Sequence, residues 1–143
     1  MKNLDKKLLK WQKILRLQDW NIILEKLNDK NKAGDFSFDR DSKSAVMKIN
    51  FSNKNENLES TMIHELIHLK LADLDEVIEK TLYELFPKGK KEKGFNIVYN
   101  EFLKSLENAV DDLEKGFSEL AGIKTTSKEV KGLIERKGRR KFN

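Results

Sequence analysis

The sequence predicts a single α+β domain, on three observations: an amphipathic stripe near the N-terminus, a β-rich run followed by an alternating hairpin pattern, and long helical stretches over most of the remainder. Leu4, Leu8, Trp11 and Leu15 recur at intervals of four, three and four within residues 4–17, with lysines on the far side, as an amphipathic helix requires. WNIILEKL, from Trp20, is rich in β-branched and aromatic residues and ends at the turn-forming NDKNKAGD, which predicts a strand. In GDFSFDRDSKSAVMKINFS, Phe36 and Phe38 alternate on one arm and Met47, Ile49 and Phe51 on the other, around a polar turn. That pattern predicts a hairpin, and hence a three-stranded antiparallel or mixed sheet.

Asn55 or Asn57 can cap the next helix, which is expected from about Leu58 to the mid-seventies. Its apolar residues, Leu58, Met62, Ile63, Leu66, Ile67, Leu69, Leu71 and Leu74, occupy more than one side, so the helix should be largely buried. DEVIEKTLYELF continues it or forms a second short helix before Pro87, and PKGKKEKG reads as a flexible basic loop. From about Phe95, the residues Tyr99, Leu103, Leu106, Val110, Leu113, Phe117 and Leu120 recur at intervals of four and three, which predicts a long C-terminal helix.

A chain of 143 residues has the size of one domain. It has no cysteine, which removes disulfides, thiolate metal sites and cysteine nucleophiles, and suits a reducing compartment. The N-terminus lacks the apolar run of a secretory signal, and no window approaches a membrane span, so a soluble cytoplasmic protein is expected. The net charge of +5 is uneven: residues 124–143 carry eight Lys or Arg against two Glu, a balance of +6 that leaves about −1 for residues 1–123. Residues 1–123 are therefore read as the folded domain and 124–143 as a basic tail. That tail is either a solvated terminus or a means of attracting nucleic acid.

Both histidines lie in TMIHELIHLK, residues 61–70. On a helix, residues four apart stand one above the other, about 6 Å apart along the axis, so His64 and His68 can lean toward one ion. Glu65 leaves the axis about 100° from His64, close enough to take a proton from a water whose pKa zinc has lowered to about 7. Two buried histidines could instead be hydrogen-bonded core residues. The metal reading gives both a common partner, and without cysteine that ion must be held by histidine and carboxylate.

HELIH, His64 to His68, resembles the HExxH signature of the zincin metallopeptidases. The order of elements over residues 4–120 is similar to that of small SprT-like and phage-encoded proteins of this kind: opening helix, WNI strand, hairpin, HELIHLKL, long last helix. The resemblance implies a small zincin-like domain holding one Zn2+ and hydrolysing peptide bonds, with Glu65 as general base. It also implies that the strand before the HELIH helix is the sheet edge on which peptide is held, which would place substrate along Val46 to Asn50. The metzincin extension requires glycine and histidine where Leu71 and Leu74 stand, and SprT-like proteins commonly use a later histidine that this chain lacks.

The third ligand must then be Asp or Glu. Asp73 and Glu76 lie too far along the same helix, Glu79 and Glu84 stay open, and Glu107 borders the apolar stripe of the last helix, where a carboxylate must find a partner. Asp111, one turn on, could accept the second N–H of a ligating imidazole. Glu107 followed by Asp111 is similar to the gluzincin pattern of a ligand Glu and an orienting Asp. Tyr83 and Tyr99 are the only tyrosines available as oxyanion donors, and each also suits a core position. The competing class is a non-catalytic, metal-stabilised or metal-free interaction module that binds nucleic acid through its tail.

Overall fold

The computed structural model describes residues 2–52 and 57–123. The fold is α+β, with three helices and a three-stranded mixed sheet: α1 Lys2–Ile14, β1 Asn21–Lys26, β2 Gly34–Asp39, β3 Ser44–Ile49, α2 Leu58–Leu85 and α3 Lys93–Leu120, with one 3₁₀ turn at Gly89–Lys91. Asn55 and the basic tail at 124–143 lie outside the described residues. None of the described helices is long and apolar enough to cross a membrane.

The strand order is β1-β3-β2, with β1 parallel and β2 antiparallel to β3. This corrects the expectation that substrate adds along Val46 to Asn50. Both edges of β3 are already paired, so its backbone has no free side, and the strand edge beside the HELIH helix belongs to β2. The alternation of β3 buries Ala45, Met47 and Ile49 on one face, where the register sets them beside Ile22 and Leu24 of β1 and Phe36 and Phe38 of β2. α1 and α2 pack against the sheet and each other, and the core centres on Trp11, Met47, Ile49, Met62, Ile63, Leu66 and Val110.

α1 ends at Ile14 rather than continuing to residue 17, because Arg16 turns to a φ of 57°. Its Trp11 is 2% exposed, and the indole Nε1 donates to Glu59 Oε1 at 2.8 Å while Lys7 Nζ reaches Oε2 at 2.7 Å. Burial alone would raise Glu59, but the bonds from Lys7 and Trp11 outweigh it and hold the carboxyl below its usual range. This ties the first helix to the opening turn of α2.

α2 is one helix of 28 residues, capped by Asn57, whose side chain accepts from the amides of Glu59 and Ser60, and ended before Pro87. It is about 42 Å long, roughly twice the span of a six-residue strand, so its second half outruns the sheet and runs along α3, with Asp73 and Glu76 still reaching Arg40 just beyond β2. Leu74, Val77 and Leu85 are exposed for that reason, a correction to the expected burial of Leu74. The expected flexible loop after Pro87 is a folded turn. Gly89 is buried at a φ of 57°, with the Tyr83 ring where a side chain would stand.

α3 returns antiparallel along α2. Phe95 and Val110 are fully buried, whereas Leu103, Leu113 and Leu120 of the expected stripe are exposed. The seam runs instead along a shoulder that takes in two polar residues, Glu114 and Ser118: Glu114 Oε1 accepts from the Ser60 hydroxyl and from Ser118 Oγ, the latter at 2.9 Å.

Candidate metal centre

Three of the sequence-predicted residues meet at the seam between α2 and α3. His64 and His68 stand one turn apart on α2, with their Nε2 atoms 3.1 Å apart. Glu107, from α3, straddles them: Oε1 lies 3.1 Å from His64 Nε2 and Oε2 lies 3.1 Å from His68 Nε2. Donors about 2.0–2.1 Å from a tetrahedral ion are about 3.3 Å from one another, so these separations fit an ion of zinc's size. Among the described residues this is the one such group of metal-ligating side chains.

Electrostatics favour the ligating forms. Burial, and next the adjacent His64, push His68 below its usual range against the opposing pull of Glu107, which favours the neutral imidazole that a metal needs. Asp111 Oδ1 lies 3.5 Å from His64 Nδ1, on the side of the ring away from Glu107. A carboxylate on that side can accept the Nδ1–H of a ligating imidazole and leave Nε2 for a metal.

Glu65 is 8% exposed and points under the first residue of β2. Burial raises its carboxyl to about 7, partly opposed by His64 and reinforced by the negative charges of Asp35 and Glu107. A carboxyl poised there both accepts and returns protons at neutral pH. It fits because residue 34 is glycine: a Cβ on Gly34 would fall 2.7 Å from Glu65 Oε1.

The other expected candidates lie elsewhere. Glu79 and Glu84 are not in the cluster, and Asp73 and Glu76 pair with Arg40 in the β2–β3 turn. Tyr99 donates its hydroxyl to Asp75 Oδ1 at 3.0 Å, and burial followed by that bond raises it to about 12. Asp75 lies seven residues past His68, about 10 Å along the axis, so this hydroxyl is turned away from the histidines. Tyr83 packs on Gly89 and Phe95 near the α2–α3 turn.

Sequence reasoning missed the contribution of β2. Besides Gly34, Phe36 stacks on His68 with ring centroids 6.2 Å apart at 24°. The alternation of GDFSF predicted its pairing but not its neighbour on α2. No family model, no curated protein and no solved structure matches this chain.

Proposed function

We propose that this chain is a zinc-dependent peptidase. The observation that carries the reading is the convergence of His64, His68 and Glu107 at 3.1 Å separations beside a buried carboxyl at about 7. Zinc bound there would polarise the scissile carbonyl and acidify the attacking water. His64, His68 and Glu107 hold the ion, and Asp111 orients His64. Glu65 takes the proton from the water and delivers it to the leaving nitrogen. The open side of β2 supplies the edge on which the peptide lies. A chain without cysteine suits work in the cytoplasm.

The test is the zinc content of the purified protein and of His68→Ala and Glu107→Ala. About one zinc per chain in the parent, lost in both variants, is the expected result. Peptide hydrolysis should then vanish with chelator and in Glu65→Gln. No zinc after reconstitution would overturn the reading. Zinc without hydrolysis of any peptide would leave a metal-stabilised interaction module, with the basic tail as its contact for nucleic acid.

A further inference from the structure

The sheet hydrogen bonds show which backbone groups face the open side of β2. Asn50 N donates to Ala33 O at 2.8 Å, and Ala33 and Asn50 continue the antiparallel register in which Asp35 faces Lys48 and Ser37 faces Val46. In an antiparallel pair, alternate residues exchange both bonds with their partner, so Ala33, Asp35 and Ser37 point their N–H and C=O groups inward to β3. The intervening Gly34, Phe36 and Phe38 therefore direct theirs outward. The parallel partner agrees: Asn21 N bonds to Lys43 O and Leu27 N to Ile49 O, which turns the backbone of Ser44, Val46 and Lys48 toward β2. Among the described residues no further strand pairs with this edge.

The same three residues line the approach to the candidate metal centre with their side-chain face. Gly34 abuts Glu65, and Phe36 stacks on His68. Phe38 stacks on Phe36 with centroids 5.7 Å apart, and Trp20 stands edge-on to Phe38 at 6.1 Å. The row of rings thus runs from a histidine at the centre to a surface ring. Phe36 and Trp20 are half-buried against the core, whereas Phe38 is 41% exposed and outside it. The outward amide of Phe36 is meanwhile held by Asp35 Oδ1 at 3.0 Å, a local acceptor that an incoming carbonyl can replace.

We infer that the substrate is an extended peptide with large apolar side chains at two positions two residues apart, seated on Phe36 and Phe38. This inference rests on the peptidase reading and adds to it a sequence class. A strand hydrogen-bonded to the outward groups of Phe36 and Phe38 sets its own residues directly opposite them on the same face. Side chains there cover the exposed ring of Phe38 and the free edge of Phe36. The residue between them points to the outer face, beside Ser37, and is free to be polar. The peptide bond next to the Phe36 position is the one brought to His68 and Glu65.

Three capped peptides of equal length test this: one with two Phe separated by a single Ser, one with the two Phe adjacent, and one with Ser at both places. Binding is followed by tryptophan fluorescence on Glu65→Gln with zinc present, since Trp20 touches Phe38, and cleavage is followed on the parent protein. The spaced peptide should bind at least about tenfold more tightly than the other two, and Phe38→Ser, at an exposed position, should erase that margin while retaining zinc. Binding of the spaced peptide without cleavage would keep the aromatic seat and overturn the peptidase reading. Cleavage of all three alike, unchanged in Phe38→Ser, would overturn the seat and keep the peptidase. Neither binding nor cleavage would overturn both.

Discussion

Gly34→Ala isolates the placement of Glu65 from the holding of metal. Gly34 does not sit at a positive φ, so the backbone accepts an L-residue and only space is at issue. An added Cβ would lie 2.7 Å from Glu65 Oε1, 3.0 Å from Glu65 Cγ and 3.0 Å from Thr61 Cγ2. Non-bonded carbons settle at about 3.5 Å or more, so roughly half an ångström is missing at two carbons and more at the oxygen. The carboxylate is the mobile partner and gives way. Overpacking of this kind costs about 1–3 kcal/mol of stability. A displacement approaching 1 Å at a reacting group lowers turnover by on the order of tenfold to a hundredfold. Urea unfolding, zinc content and kcat/KM on a cleaved peptide read the three effects separately: modest destabilisation, zinc retained, kcat/KM reduced. Gly116→Ala is the control, because its Cβ meets nothing within 4 Å, and in a helix the change should add up to about 1 kcal/mol. Unchanged kcat/KM in Gly34→Ala would show that Glu65 does not act from this position. Loss of zinc would show that Gly34 serves the histidines instead.

Glu65→Gln should also change stability in the chelated protein. The folded-state value of about 7 lies above the ordinary 4.5, so the folded chain binds this proton more tightly than the unfolded one. Stability is therefore fully present below about pH 4.5 and declines as pH rises through 7, by about 3 kcal/mol for the whole shift. Glutamine removes that decline, so chelated Glu65→Gln should exceed chelated parent at pH 8 and match it near pH 4.5 in urea melts; parallel curves at both pH values would contradict the burial argument. Asp111→Ala should weaken zinc about 10–100-fold in a competition titration while the far-UV spectrum holds, because it frees the ring of His64 and not a ligand. Zinc affinity equal to the parent's would remove Asp111 from the site.

Local pattern was readable where a single helix or strand sets the geometry. His64 and His68 share a face because four residues make about one turn, and Glu107 and Asp111 border the stripe that faces α2 for the same reason. The α+β class followed from periodicity alone. Strand order did not. The alternation in residues 34–51 predicts that β2 and β3 pair, yet whether β1 joins β2 or β3 depends on packing between segments more than twenty residues apart. That choice decides which strand has a free edge, and so where a peptide can lie. The α3 stripe was misjudged at Leu103, Leu113 and Leu120, which stand outside the seam, and the buried carboxylate of Glu114 is satisfied by the Ser118 hydroxyl one turn on and by the Ser60 hydroxyl across the seam, the second a contact that no single-helix pattern carries.

The Arg40 contacts bear on how β2 behaves when a partner arrives. Its far end is tied to α2 through Arg40, with Nη2 2.7 Å from Asp73 Oδ1 and Nη1 against Glu76, and its near end rests on Glu65 and Thr61 at Gly34. The Arg40 pairs are partly exposed and worth little as stability, whereas the Gly34 contact is made on a buried side chain. Together they clamp a six-residue strand at both ends, so it acts as a fixed rail rather than a closing flap. Ordering on association with the proposed peptide would then fall almost wholly on the incoming chain, and a ligand stiffened beforehand in extended form, by cyclisation or N-methylation on its outer edge, would gain the most.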